Sequence, residues 1–203
     1  MKIAAEVGSD LPLFLIGGTV LGVGRGEEVF PLPDLKSMAC VIALPDIGVS
    51  TPRAFAQWDQ RCETAGHDPA ACTTASPSDR MSEFSRRIAG WLSETTLYSG
   101  VPAGSRGRAE NPLLDLVRTG IENDFEQVVF PEYPELRQVK SWLERAGALY
   151  ASLSGSGSAL YSLFASRERA RQAAAQLRRK GTSAVVTSTL TRPQYWRKLL
   201  VQG

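Results

Sequence analysis

Apolar and polar residues change rhythm along this chain, and each change marks an element. Across residues 135–146 the apolar positions are Leu136, Val139, Trp142 and Leu143. That three-and-four spacing is a helix with one buried face, and Gly147 stops it. Across 167–180 the inward set is Ala170, Ala173, Ala174 and Leu177, the arginines between them read as a solvated face, and Gly181 is the stop. Short, aromatic-containing, partly alternating runs at 149–153 and 159–164 read as strands, as do 37–44 and 183–190. After 37–44, Ser50 or Thr51 caps a helix with Pro52 in its first turn; it carries Ala54, Phe55, Ala56 and Trp58. Residues 192–200 form a short tail packed by Tyr195, Trp196 and Leu199. From residue 37 the order is strand, helices, strand, strand, helix, strand. That is an α+β, split β-α-β, ferredoxin-like arrangement with inserted helices.

The first 36 residues follow another rhythm. Residues 1–7 read as the last turns of a helix that Gly8 ends. Residues 11–16 read as a strand with Pro12 near its beginning, then come turns at Gly17-Gly18 and at 24–26 and strands at 19–23 and 27–32. This is an antiparallel meander belonging to a second sheet. The chain begins inside an element, which predicts a missing upstream segment. Residues 59–77 show little periodicity, 80–97 carry a helical pattern, 99–108 return to a Gly/Pro/Arg loop, and 113–122 are helical. The stretch 59–110 therefore reads as peripheral.

At 203 residues the chain can bury a substantial core. Composition is that of an ordinary globular protein, 43% hydrophobic and 22% charged. A net charge of +2 gives no electrostatic case for nucleic acid or an anionic membrane. No apolar run approaches the roughly 20 residues that span a bilayer. Cys40, Cys62 and Cys72 are a sparse, odd set and read as reduced thiols of a cytoplasmic protein.

Candidate chemistry sits in three places. Ser154, Gly155, Ser156, Gly157 and Ser158 lie between two strands. Two glycines there free the backbone, so successive N–H groups can share one concavity with the serine hydroxyls, a seat for phosphate; the same residues equally make a plain hairpin turn. Asp10, between a helix end and the sheet, reads as a local Asx-turn or cap. Phe55, one turn past its cap, faces core or ligand. Cys62, His67 and Cys72 are evenly spaced but lack a fourth ligand and the close pairs of a metal site. A dinucleotide fingerprint is poor, because Gly155-Ser156-Gly157 lacks the third glycine and precedes a strand.

Four stretches carry a resemblance: Gly8-Ser9-Asp10-Leu11-Pro12-Leu13-Phe14, Gly22-Val23-Gly24-Arg25-Gly26-Glu27, Asn123-Asp124-Phe125-Glu126, and the run from Ser152 through Ser154-Gly155-Ser156-Gly157-Ser158 to Ala159. In this order they resemble the GHMP small-molecule kinases, specifically the branch acting on a cytidine-diphosphate methylerythritol in isoprenoid biosynthesis. The resemblance implies a fold: the last strands of the family's N-terminal (ribosomal S5-like) domain over 1–36, then its C-terminal domain over 37–203, with 59–110 a divergent insertion. It implies ATP-dependent phosphorylation of a substrate 2-hydroxyl, with Mg²⁺. It places the catalytic carboxylate on Asp10, the transferred phosphate beside 154–158, and a cytosine-stacking ring on Phe55, with Thr51 in the substrate segment that leads into it. The family's Pro-x-x-x-Gly-Leu-Gly-Ser-Ser-Ala loop has no counterpart here, so this polypeptide is expected to turn over little alone. The alternatives are another GHMP kinase (mevalonate, homoserine or sugar) and a non-catalytic ferredoxin-like binding module.

Overall fold

A computed structural model describes residues 2–23, 27–34, 36–64 and 123–200. Expectations for 65–122, including His67 and Cys72, lie outside the described residues. The chain divides into two compact units, Met38–Thr187 and Met1–Ser37 with Ser188–Gly203.

The first unit is a four-stranded sheet with the order β4-β5-β3-β6: β3 is Ala39–Leu44, β4 Tyr150–Leu153, β5 Leu160–Phe164 and β6 Ser183–Ser188. Both β3 and β4 run antiparallel to β5, with Val41 and Ala151 both opposite Ser162 and Ala43 and Leu153 both opposite Leu160. This is the strand order of the split β-α-β arrangement. The helices are α3 (Thr51–Thr64), α4 (Glu126–Glu132), α5 (Pro134–Arg145) and α6 (Arg167–Arg179).

The register decides the core. One face of the sheet presents Val41, Ala43, Ala151, Leu153, Leu160 and Phe164, all buried, against Leu136, Val139 and Leu143 of α5 and Ala170, Ala173, Ala174 and Leu177 of α6. Alanines at three of the four inward positions of α6 let that helix lie close to the strands. Ser166 caps α6, its hydroxyl accepting the Arg169 N–H at 3.3 Å. One arginine leaves the solvated face expected of it: Arg178 folds over to donate to Ala184 O from Nε at 2.9 Å and Nη2 at 2.7 Å. The other sheet face carries Cys40, Tyr150, Ser152 and Tyr161. Burial, reinforced by neighbouring Tyr150, pushes the Tyr161 hydroxyl above the ordinary phenol range.

Two further expectations change in this unit. Helix α3 runs on to Thr64, so 59–64 is helix and not loop. Cys40 is a free, buried thiol, but Cys62 is disulfide-bonded. A count of three cysteines does not say which side chains meet, so cysteine usage no longer argues for a reducing compartment.

The second unit holds α1 (Lys2–Val7), α2 (Leu11–Ile16), the antiparallel hairpin β1 (Val20–Val23) and β2 (Glu28–Pro31), and α7 (Arg192–Leu200). The strand expected over Leu11–Ile16 is a helix. An unbroken apolar run has no period to tell the two apart; Pro12, pre-set for a first helical turn, and the Leu11 N–H bond to Gly8 O at 3.1 Å settle it. The tail is likewise a helix. Its side chains close the end of α2: Tyr195 Oη donates to Phe14 O at 2.7 Å, Trp196 Nε1 to Ile16 O at 3.0 Å, and Arg192 Nε to Gly17 O at 3.1 Å. The Asp34 carboxylate accepts the backbone N–H groups of Thr19 at 3.0 Å and Arg192 at 2.7 Å. Among the described residues no helix is long and apolar enough to cross a membrane.

Desolvation raises the Cys40 thiol above its ordinary range. The folded state then holds this proton more tightly than the unfolded chain, so the stability it contributes is present below the ordinary thiol pKa and is lost as pH rises through and above it. Urea unfolding at about pH 7 and about pH 10 checks this: the wild type is expected to lose more stability over that interval than Cys40→Ala.

Candidate functional site

Three stretches distant in sequence meet where β4 turns into β5. The turn itself is Ser154, Gly155, Ser156, Gly157 and Ser158. Ser154 N–H donates to Ala159 O at 2.8 Å and Gly157 N–H to Ser154 O at 3.0 Å. Gly155 (φ 56) and Gly157 (φ 93) lie in the left-handed region that favours glycine. With these bonds made, the N–H groups of Gly155, Ser156 and Ser158 donate to no partner among the described residues. They are the free donors an anion seat needs.

Helix α3 brings the second stretch. Thr51 opens it, and Thr51 Oγ1 lies 2.8 Å from Ser156 Oγ, the two hydroxyls sharing one hydrogen bond. One turn later Phe55 is 52% exposed. Its ring meets Phe125 edge-on, with centroids 4.8 Å apart and planes at 78°. Phe55 is therefore not a core residue: another aromatic holds its ring on one edge, and the ring is otherwise half exposed.

The third stretch is Asn123-Asp124-Phe125-Glu126, whose individual roles sequence reasoning missed. Asn123 Nδ2 donates to Leu153 O at 2.9 Å and to Gly155 O at 2.7 Å, while its Oδ1 accepts the Phe125 N–H at 3.0 Å. Glu126 Oε1 accepts the Leu153 N–H at 2.9 Å and the Ser152 hydroxyl at 3.0 Å. The other oxygen, Oε2, pairs with Lys140 Nζ at 2.5 Å. Beyond the stretch's place in the resemblance, the signal for these two roles was an asparagine and a glutamate three apart before a helix, which looks like ordinary capping.

Asp10 belongs to the other unit and stands at the N-cap position of α2. It is exposed and makes no side-chain capping bond, so the local-cap reading does not describe it. Residues 24–26, within the second resembling stretch, lie outside the described residues. Among those described, no three histidine, cysteine or carboxylate side chains gather to hold a metal ion.

The chain is similar to known proteins. Residues 109–183 match the family model described as GHMP kinases C terminal. The 4-diphosphocytidyl-2-C-methyl-D-erythritol kinase of Solibacter usitatus is 34% identical over 98% of this chain and 54% of its own length. That of Oleidesulfovibrio alaskensis is 37% identical over 87% of this chain and 56% of its own. A crystal structure of 4-(cytidine 5'-diphospho)-2C-methyl-D-erythritol kinase superposes with a TM-score of 0.59 at 25% identity, covering 92% of this chain and 55% of that one. A homoserine kinase from Cytophaga hutchinsonii, with a TM-score of 0.56 at 19% identity over 89% of this chain and 50% of its own, shares the fold. The chain spans about half the length of the curated relatives it matches.

The two loop glycines differ in what a side chain would meet. At Gly157 a Cβ would stand 3.1 Å from Leu153 Cδ1; at Gly155 nothing lies within 4 Å. Gly157→Ala is therefore expected to destabilise by about 1–3 kcal/mol and more than Gly155→Ala, both paying for the left-handed backbone. Urea unfolding of the two variants checks the ranking.

Proposed function

We propose that this chain, which carries the C-terminal domain of the GHMP kinases, acts in phosphoryl transfer from ATP to the 2-hydroxyl of 4-(cytidine 5'-diphospho)-2-C-methyl-D-erythritol. The observation that carries the reading is that Thr51 meets the serine–glycine loop while Phe55, one turn on in the same helix, holds a half-exposed ring against Phe125. A cytosine needs a ring to stack on, a phosphoryl group needs hydrogen-bond donors, and these stand together on one unit.

Phosphoryl transfer asks for positioning and charge neutralisation more than for covalent chemistry. In this reading Phe55 stacks the cytosine and Thr51 lines the same approach. The free N–H groups of Gly155, Ser156 and Ser158, with the loop hydroxyls, face the transferred phosphate and hold its developing charge. Asp10 orients the attacking hydroxyl and takes its proton as the bond from oxygen to the γ-phosphorus forms and ADP leaves. Its exposed, uncapped carboxylate suits that role. A bound magnesium ion would supply charge neutralisation, and among the described residues no cluster would hold it alone. The partner in this reading is a small molecule.

Calorimetric titration with cytidine 5'-diphosphate tests the ring. Stacking of a base on an aromatic is worth about 1–3 kcal/mol, so Phe55→Ala is expected to weaken binding by roughly fivefold or more; an unchanged affinity would remove the cytidine assignment. ADP release from the purified 203-residue chain with substrate, ATP and Mg²⁺ is expected to be slight. Turnover that persists in Asp10→Asn would exclude Asp10 as the base.

A further inference from the structure

We infer that Asn123 and Glu126 are positioning residues for the phosphate-facing loop, setting its conformation from the free edge of β4. The inference rests on the kinase reading for the loop's purpose, and on geometry alone for its shape.

In the sheet order β4-β5-β3-β6, strand β4 is an edge. One side of it pairs with β5, and Ser154 N–H continues that side by donating to Ala159 O. On the other side no strand lies beside it among the described residues. At Leu153, the last residue of β4, the outward N–H goes to Glu126 Oε1 and the outward C=O receives Asn123 Nδ2. Two side chains thus supply what a neighbouring strand would supply, at the residue from which the loop departs. Asn123 then reaches two residues further and donates to Gly155 O at 2.7 Å, inside the loop. With both donors of this one amide on backbone carbonyls two residues apart, the path of the chain between them has little freedom. Gly155 lies in the left-handed region, a conformation that needs such support.

Glu126 is itself fixed. Its second oxygen pairs with Lys140 of α5, whose ammonium also lies 5.8 Å from the centre of the Phe130 ring. Asn123 is fixed by accepting the Phe125 N–H. Neither residue needs to touch substrate to act: with the carbonyls of Leu153 and Gly155 held, the free N–H groups of Gly155, Ser156 and Ser158 are presented in one arrangement before any ligand arrives. A loop ordered in advance binds an anion without the entropy cost of ordering it then.

The test uses the isotope-labelled 203-residue chain, with inorganic tripolyphosphate as the probe of the loop and cytidine, which has no phosphate, as the probe of Phe55. Asn123→Asp keeps the shape but cannot donate. Glu126→Leu removes the acceptor, and Glu126→Gln restores one for the Leu153 N–H. Asn123→Asp and Glu126→Leu are expected to move the Gly155 and Gly157 amide resonances in the free protein and weaken tripolyphosphate binding about tenfold. Cytidine affinity should stay within about twofold, and Glu126→Gln should recover most of the loss. Equal loss of both probes would mean general unfolding and would overturn a positioning role. So would glycine resonances that match the wild type in Asn123→Asp, the mildest variant and the one that decides if Glu126→Leu does not fold. If the wild type binds neither probe, the kinase reading fails, and the glycine resonances alone uphold or overturn the inference.

Discussion

The outward peptide groups of Leu153 are the constraint on which the rest of this site depends. Leu153 is 1% exposed and ends an edge strand. A buried N–H or C=O without a partner costs on the order of 1–3 kcal/mol, and an edge has no strand to provide one. The chain meets that demand with Asn123 and Glu126, and because one partner is a carboxylate the bond to the N–H is charge-assisted and stronger than a neutral one. Satisfying Leu153 also fixes where the hairpin connection starts and which way it leaves the sheet. The serine–glycine loop is therefore placed by the same bonds that finish the core.

From that point the site's layout follows from chain connectivity. Phe125 lies between Asn123 and Glu126; its ring packs against the core and meets Phe55 edge-on. Thr51 starts the helix that carries Phe55 and shares its hydroxyl with Ser156 of the loop. At the far end of α4, Glu132 receives Gln57 Nε2 at 2.6 Å and pairs with Arg53 at 2.8 Å, tying α3 down a second time. The Arg53 pair is largely exposed on its cation side and adds little by itself. The Gln57 bond and the ring contact fix the helix more firmly. A surface that would read cytosine and a loop that would read phosphate are thus held by one short element.

Much of this fold could be read from the sequence wherever apolar residues had a period. The stripe Ala170, Ala173, Ala174, Leu177 and the stripe Leu136, Val139, Leu143 gave helices whose buried faces are those residues. The strand order followed from the succession of elements, and the serine–glycine turn from its composition. Where the period vanished, reading failed. Leu11–Ile16 is apolar at every position, and only Pro12 and the bond back to Gly8 distinguish helix from strand. The site was legible by residue type at Phe55 and in the loop, but not at Asn123 and Glu126. Their partners are backbone groups some 30 residues away, and backbone groups leave no mark in a sequence.

The unit that carries Asp10 shows the same physics in another setting. A six-residue helix is too short to be stable by propensity, and its last carbonyls need donors. Gly17 turns the chain with φ 67, returning its N–H to Leu13 O at 2.9 Å. The carbonyls of Phe14, Ile16 and Gly17 are each taken by a side chain of α7. At Gly17 a Cβ would stand 2.2 Å from the Tyr195 ring, so the turn and the C-terminal helix require one another. Asp10, at the head of that helix, therefore owes its position to residues more than 180 further along the chain. A change in α7 would disturb the carboxylate without touching it, which makes the C-terminal helix part of what holds the proposed base in place.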